Sequence, residues 1–350
     1  MKILAILTVR NEGAFLLEWL AHHRTVGITD FIVCSNACTD GTDIMLDRLA
    51  EMGWLTHLRN PGPYGSRGVQ FTALDLAGKH AKTAEADWIL SIDIDEFVNV
   101  HTGDHTLSSL IAALPMATAI TLTWRLFGNA GKIGFEDTRV LQSFTRCAPQ
   151  IIHWPWRAAM FKTLYRNDGT YRRPGVHRPK SPDPTKLKNA KWFDGEGRAL
   201  EESIKTGRVY STYGRSNFAL AQLNHYPLGA MESFVLKADR GRAVHEDTLL
   251  GMDYWVERNF NTDVDTSIQA TAPCTQATFE ALMADACLGE FHAAAVAWRH
   301  ARFEELMRQD FYRTLFSRLL MASPSQNVTP QMARCLTEFA LGKPIKNSKS

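Results

Sequence analysis

The chain has 350 residues, 45% of them hydrophobic and 22% charged, with a formal net charge of +2 at pH 7. That balance excludes disordered and fibrous classes, and so small a net charge makes no global case for nucleic-acid or membrane binding. Six cysteines without paired zinc-type spacing are too sparse for a disulfide scaffold, and are expected as reduced thiols in a cytoplasmic protein.

Residues 1–9 are largely apolar, but Arg10-Asn11-Glu12 follow at once and no small-residue cleavage site closes the run. A first buried strand is expected there rather than a secretory leader. Phe15, Leu16, Trp19, Leu20 and His23 then recur at helical spacing up to Gly27. Residues 31–34 predict a second strand, 35–42 a polar turn and 43–52 an amphipathic helix. A third strand is expected at 54–58, a helix at 70–82 and a fourth strand at 87–92. Strands alternating with helices imply an α/β protein with a doubly wound, mostly parallel sheet.

The fourth strand runs into Ile92-Asp93-Ile94-Asp95-Glu96-Phe97. In an extended segment Asp93 and Asp95 share a face while Glu96 points elsewhere and supports the loop. Ligands of open α/β sheets bind beyond the carboxyl ends of strands. Two carboxylates there repel each other, and a divalent metal, Mn2+ or Mg2+, relieves that repulsion while taking other ligands from phosphates and water. A solvated acidic turn is the plainer alternative, and the strand context favours the metal. Thr8, Arg10, Asn11 and Glu12 follow the first strand, and Asn36 and Asp40 the second, so both groups are expected near Asp93. Asn and Asp can read a base or a ribose hydroxyl, and Arg can face a phosphate. Each also serves as a turn former or helix cap.

Thr8-Val9-Arg10-Asn11-Glu12, Glu18-Trp19-Leu20, His22-His23, Ser35 through Thr42 and Trp88 through Phe97 stand in an order that resembles the family-2-type glycosyltransferases of GT-A fold. The likeness is to the bacterial branch with a Val-Arg-Asn-Glu start and an Asp-x-Asp-Glu-Phe motif. It implies that the segment from Thr8 to Glu12, with Asp40, holds the base and ribose of a nucleotide-sugar donor. It implies too that Asp93 contacts ribose or metal, and that Asp95 ligates a divalent ion bridging the donor diphosphate. Transfer with inversion to a saccharide or other hydroxyl acceptor is the implied reaction, and polysaccharide biosynthesis is the family's commonest setting.

Farther on, 119–124 predicts a strand leading into a Gly-rich turn, and Glu136 and Asp137 follow as candidates for the base that activates the acceptor hydroxyl. Nine Lys or Arg residues against two Asp between 162 and 191, broken by Pro and Gly, predict a basic irregular loop over the site. Base-stacking aromatics are not interleaved with it, so no nucleic-acid partner is expected. His225 is a candidate metal ligand suited to Mn2+, and Lys237 and Arg240, one helical turn apart, suit a diphosphate.

The organisation expected is a GT-A-like nucleotide-sugar-binding catalytic domain over 1–246 and a helical C-terminal region over 247–350, with a frayed tail at 346–350. The C-terminal helices are expected as a packed appendage, with an oligomer contact or peripheral docking at the inner membrane face as the lesser use. A non-catalytic sugar- or polymer-binding scaffold is the alternative function. A sugar-phosphate nucleotidyltransferase is another, although Arg10-Asn11-Glu12 stand where its Gly-rich loop belongs.

Overall fold

The structure is a computed structural model, described here over residues 1–212, 214–241 and 250–340. Strands β1 (Ile3–Val9), β2 (Asp30–Ser35), β3 (Thr56–Arg59) and β4 (Trp88–Ser91) form its parallel half, in spatial order β3-β2-β1-β4. After β4 the chain turns into β5 (Glu96–Val100), then continues through β6 (Ala119–Leu126) and the short β7 (Arg146–Cys147) to β8 (Phe161–Arg166). β8 lies antiparallel between β4 and β6 and joins the two halves of the sheet. β9 (Tyr171–Arg173) and β10 (Lys180–Pro182) make a separate antiparallel ribbon. β11 (Trp192–Asp194) and β12 (Ala221–His225) both run parallel to β6, and β12 pairs antiparallel with β5 at the far edge. A short β13 (Asp263–Val264) pairs with β7.

The alternation of β1 explains the two-sided burial. Ile3, Ala5, Leu7 and Val9 enter one core with Leu16, Leu20 and Leu46, from the helices Gly13–Thr25 and Thr42–Glu51. Leu4 and Ile6 enter the other with Ala73, Leu74 and Ala77, from the helix Val69–Gly78. A strand apolar on both faces needs helices on both, which is the doubly wound arrangement.

The main departures concern the ends of elements and the later chain. The segment expected as one helix over 70–82 is two, Val69–Gly78 and Ala81–Glu85. The stretch expected as an irregular basic loop contains most of β8, together with β9, β10 and the short helix Pro184–Leu187. Lys162, counted among its basic residues, is wholly buried in β8. Side chains of β8 alternate across a covered sheet, so a lysine there cannot reach solvent.

The C-terminal helices Ala272–Met283, Ala286–Leu306 and Asp310–Met321 are built into the body rather than hung from it. Phe279, Leu282 and Leu288 share the core of β1, and Leu306, Leu315 and Leu319 pack with Phe234 and Val235 of the helix Met231–Arg240. Gly13 permits a close approach, since a Cβ there would stand 2.8 Å from Ala295 Cβ. The boundary expected at 246/247 and the tail at 346–350 lie outside the described residues. Among the described residues no helix is long and apolar enough to cross a membrane.

Candidate active site

β1, β2 and β4 run parallel, so Thr8 and Arg10, Asn36, and the turn bearing Asp93 and Asp95 arrive together at their carboxyl ends. A cavity of about 420 Å3 opens there, lined also by Glu12, Gln70, His225, Lys237 and Arg240.

The two aspartates do not share a strand face, because β4 ends at Ser91 and a turn carries them. Their side chains meet different cations. Asp93 Oδ2 takes Lys162 Nζ at 2.7 Å and Oδ1 accepts from Gln70 Nε2 at 2.9 Å. Asp95 Oδ2 takes Lys237 Nζ at 2.6 Å, with His225 Nε2 at 3.7 Å. Burial alone would raise the Asp95 carboxyl, but Lys237 and His225 reverse this and hold it well below the usual carboxylate range. Burial works against the Lys237 ammonium too, and Asp95 more than offsets it. His225 is lowered by burial, against the pull of Asp95, and is neutral near pH 7.

Glu96 supports the turn from beneath. Its Oε2 accepts from the Asp93 amide at 2.8 Å and its Oε1 from Trp124 Nε1 at 2.6 Å. Burial raises it to about 8, and the adjacent Lys162 offsets only part of that rise. Trp19 Nε1 donates to the Asp93 and Glu96 carbonyls, both at 3.1 Å, and ties the turn to the helix Gly13–Thr25.

At the first strand end, Glu12 is ion-paired with Arg240, whose Nη1 also donates to the Arg10 carbonyl at 3.0 Å. Burial, then Arg299 and Arg10, lower Arg240 to about 10. Asn11 adopts φ of 56°, a region Asn tolerates, and its Oδ1 accepts from the Thr39 amide at 2.8 Å. Asp40 is only 5% exposed: one carboxylate oxygen accepts from the Gly13 amide and the other from Thr42. Neither Asn11 nor Asp40 lines the cleft, so in this conformation they shape the turns beneath it.

The candidate bases stand apart from it as well. Asp137 is held by His292 Nε2 at 3.0 Å, and that hydrogen bond lowers its carboxyl below the usual range. Glu136 is exposed and paired with Lys132 at 3.3 Å. Both sit on the loop after β6, where Asp137 meets the helix Ala286–Leu306 through His292 and Glu136 lines a neighbouring chamber with Asp95.

Sequence reasoning missed Gln70 and Lys162 as partners of Asp93, and Trp124, Arg157, His177 and Arg258 as cleft walls. Lys162 carried one usable signal, a lysine inside the apolar alternation Phe161-Lys162-Thr163-Leu164. His177 Nδ1 lies 2.9 Å from the Phe161 carbonyl and must donate to it, which leaves Nε2 as an acceptor.

No family model matches the chain. It is similar to a glycosyltransferase family 92 protein of Ricinus communis, 28% identical over 97 residues, covering 27% of this chain and 16% of that protein. A second family 92 protein, from Oryza sativa subsp. japonica, is 23% identical over 141 residues, covering 39% of this chain and 23% of that one. The matches thus span less than a quarter of the length of these curated relatives. Among solved structures, S. aureus TarS 1–349 is similar at 15% identity and a TM-score of 0.32, covering 88% of this chain and 92% of that one. Glucosyl-3-phosphoglycerate synthase from Mycobacterium tuberculosis, in complex with Mn2+, UDP and glucosyl-3-phosphoglycerate, is similar at 18% identity and a TM-score of 0.25, over 35% of this chain and 44% of that one.

Proposed function

We propose that the chain is a GT-A-like glycosyltransferase that moves a sugar from a nucleoside-diphosphate donor to a hydroxyl-bearing acceptor such as a saccharide. One observation carries the reading: the acidic turn Asp93 to Asp95 lines one cavity with Arg10, Lys237 and Arg240 at the carboxyl ends of parallel strands. The partial likeness to plant family 92 glycosyltransferases supports the class.

In this reading Thr8, Arg10, Glu12 and Asn36 hold the nucleoside, with Asn11 and Asp40 setting the turns that present them, while Asp93 reaches the ribose. Lys237 and Arg240 lend fixed positive charge to the departing diphosphate, in a site where burial strengthens it. Asp95 and His225 suit a divalent metal, Mn2+ or Mg2+: one is an ionised carboxylate and the other a neutral imidazole whose Nδ1 is buried without a partner. Among the described residues no three His, Cys, Asp or Glu side chains converge on a metal, so the diphosphate and water would complete the shell. Such a cation supplies charge neutralisation at the leaving group. In-line attack with inversion follows from the family resemblance.

The test is a thermal-shift titration of Mn2+ with and without UDP, GDP and CDP. Metal-dependent stabilisation by one nucleotide is expected; no shift with any of them overturns the donor site. A scaffold without turnover is the second reading, favoured by the pairing of each carboxylate that lines the cleft, Glu12, Asp93 and Asp95. Slow donor hydrolysis that disappears in Asp95→Ala separates the enzyme from the scaffold.

A further inference from the structure

Beside the cleft lies a second, smaller chamber of about 100 Å3. The Glu12–Arg240 and Asp95–Lys237 pairs line both cavities and form the partition between them. The other walls are mainly apolar, with Phe15, Phe135, Phe144, Leu236 and Trp298. Into this setting the helix Ala286–Leu306 brings Arg299, which is 6% exposed.

Arg299 makes no hydrogen bond or ion pair to another described residue, and its Nε is buried without a partner. Its guanidinium lies 4.5 Å from the Phe15 ring centroid and 4.7 Å from that of Phe135. The carboxylates around the chamber are spoken for: Glu12 by Arg240, Asp95 by Lys237, Glu136 by Lys132 and Asp239 by Arg302. Asp40 is close enough for its charge to be felt at Arg299, yet its oxygens are taken by the Gly13 amide and by Thr42. Arg299 thus has no contacting anion, only the longer-range charge of Asp40, and Arg240 repels it from the same chamber. A buried guanidinium without a contacting anion is costly, and the aromatic faces compensate only part of its lost hydration.

We propose that this chamber binds a small organic anion, with a carboxylate or phosphate on Arg299 and a ring-sized apolar body against Phe135, Phe144 and Trp298. An arginine fork matches either anionic group. The volume is below that of an apolar cavity that takes benzene, so it suits one small ring at most. The inference does not depend on the transferase reading, because the binding needs neither nucleotide nor metal.

The full chain is titrated calorimetrically with benzoate, phenyl phosphate, benzyl alcohol and inorganic phosphate, beside Arg299→Gln and Ser233→Phe. The second variant places a ring in the chamber from the helix Met231–Arg240 and leaves Arg299 untouched. Saturable binding of benzoate or phenyl phosphate is expected, with benzyl alcohol and inorganic phosphate at least roughly tenfold weaker. Which of the two aromatic anions binds tighter identifies the anionic group. Each variant should weaken the tighter one by roughly tenfold or more. Absence of binding by both aromatic anions below about 10 mM, equal binding of benzyl alcohol, or full affinity in Ser233→Phe overturns the proposal. Full affinity in a folded Arg299→Gln overturns it as well, and if that variant does not fold, Ser233→Phe decides.

Discussion

Lys162 Nζ stands 2.7 Å from Asp93 Oδ2 and 3.5 Å from Glu96 Oε2, although Lys162 itself is wholly buried in the central sheet. Burial works to lower the lysine, and Asp93 followed by Glu96 outweighs it, so the ammonium keeps its charge. Lys162→Met would strip Asp93 of its cation. A loss of about 3 kcal/mol of stability is expected, at the low end for a broken buried pair because the Asp93 side chain is 34% exposed. Urea unfolding measures it, and unchanged stability would show that Gln70 suffices for Asp93.

The depressed Asp95 carboxyl fixes a second outcome. Its folded value lies below the unfolded one near 4, so its stabilising contribution is present above that pH and is lost as pH falls below it. Asp95→Asn removes this contribution and leaves Lys237 buried without its carboxylate. The variant is expected to be less stable at pH 7 and to lose less stability than the parent below about pH 4. Urea midpoints across the acid range test both points.

Glu18 works in the opposite sense. Burial raises it to about 7, against the amides of Val140 and Leu141, which donate at 2.8 and 3.2 Å. Between the unfolded and folded values the native state holds a proton that the unfolded chain has released, so stability falls as pH rises through that window. The shift from 4.5 to about 7 corresponds to about 3 kcal/mol. Glu18→Gln should flatten the decline between about pH 4.5 and pH 7. An unaltered slope would mean that Glu18 is ionised throughout.

Gly128, two residues beyond β6, lies against the segment that follows the helix Met252–Val256, and a Cβ there would stand 2.4 Å from the Phe260 carbonyl oxygen. That atom is backbone and cannot swing aside. Gly128→Ala is expected to cost about 2 kcal/mol through forced overpacking, read as a lower thermal midpoint.

Asp137 offers a kinetic discrimination. Because it is tied to His292 and does not line the cleft, Asp137→Asn should alter turnover by no more than about threefold. A fall of a hundredfold or more, the scale of general-base catalysis, would return it to the chemistry. The measurement is donor transfer or hydrolysis under saturating donor.

Much of the parallel half of the sheet and of the cavity at its strand ends was legible in the sequence. The apolar runs of β1, β2 and β4, and the amphipathic spacing of the helices between them, are local patterns, and local periodicity marks elements directly. Parallel order then requires their carboxyl ends to meet, which is why Thr8, Arg10, Asn36, Asp93 and Asp95 gather in one cavity. β8 was hidden because its lysine and flanking basic residues imitate a solvated loop.

By itself, then, the order of residues determined the α/β alternation, the acidic turn after the fourth strand and the polar strand ends beside it. Tertiary structure decided the partners. Lys162 meets Asp93 across 69 positions, Asp137 meets His292 across 155 and Arg240 meets Glu12 across 228. It also left Arg299 without a contacting anion in its chamber and drew the C-terminal helices into the core. The reason is physical: hydrogen bonding and periodicity within an element depend on neighbours in sequence, whereas charge pairing in a buried site depends on which surfaces the sheet order brings together.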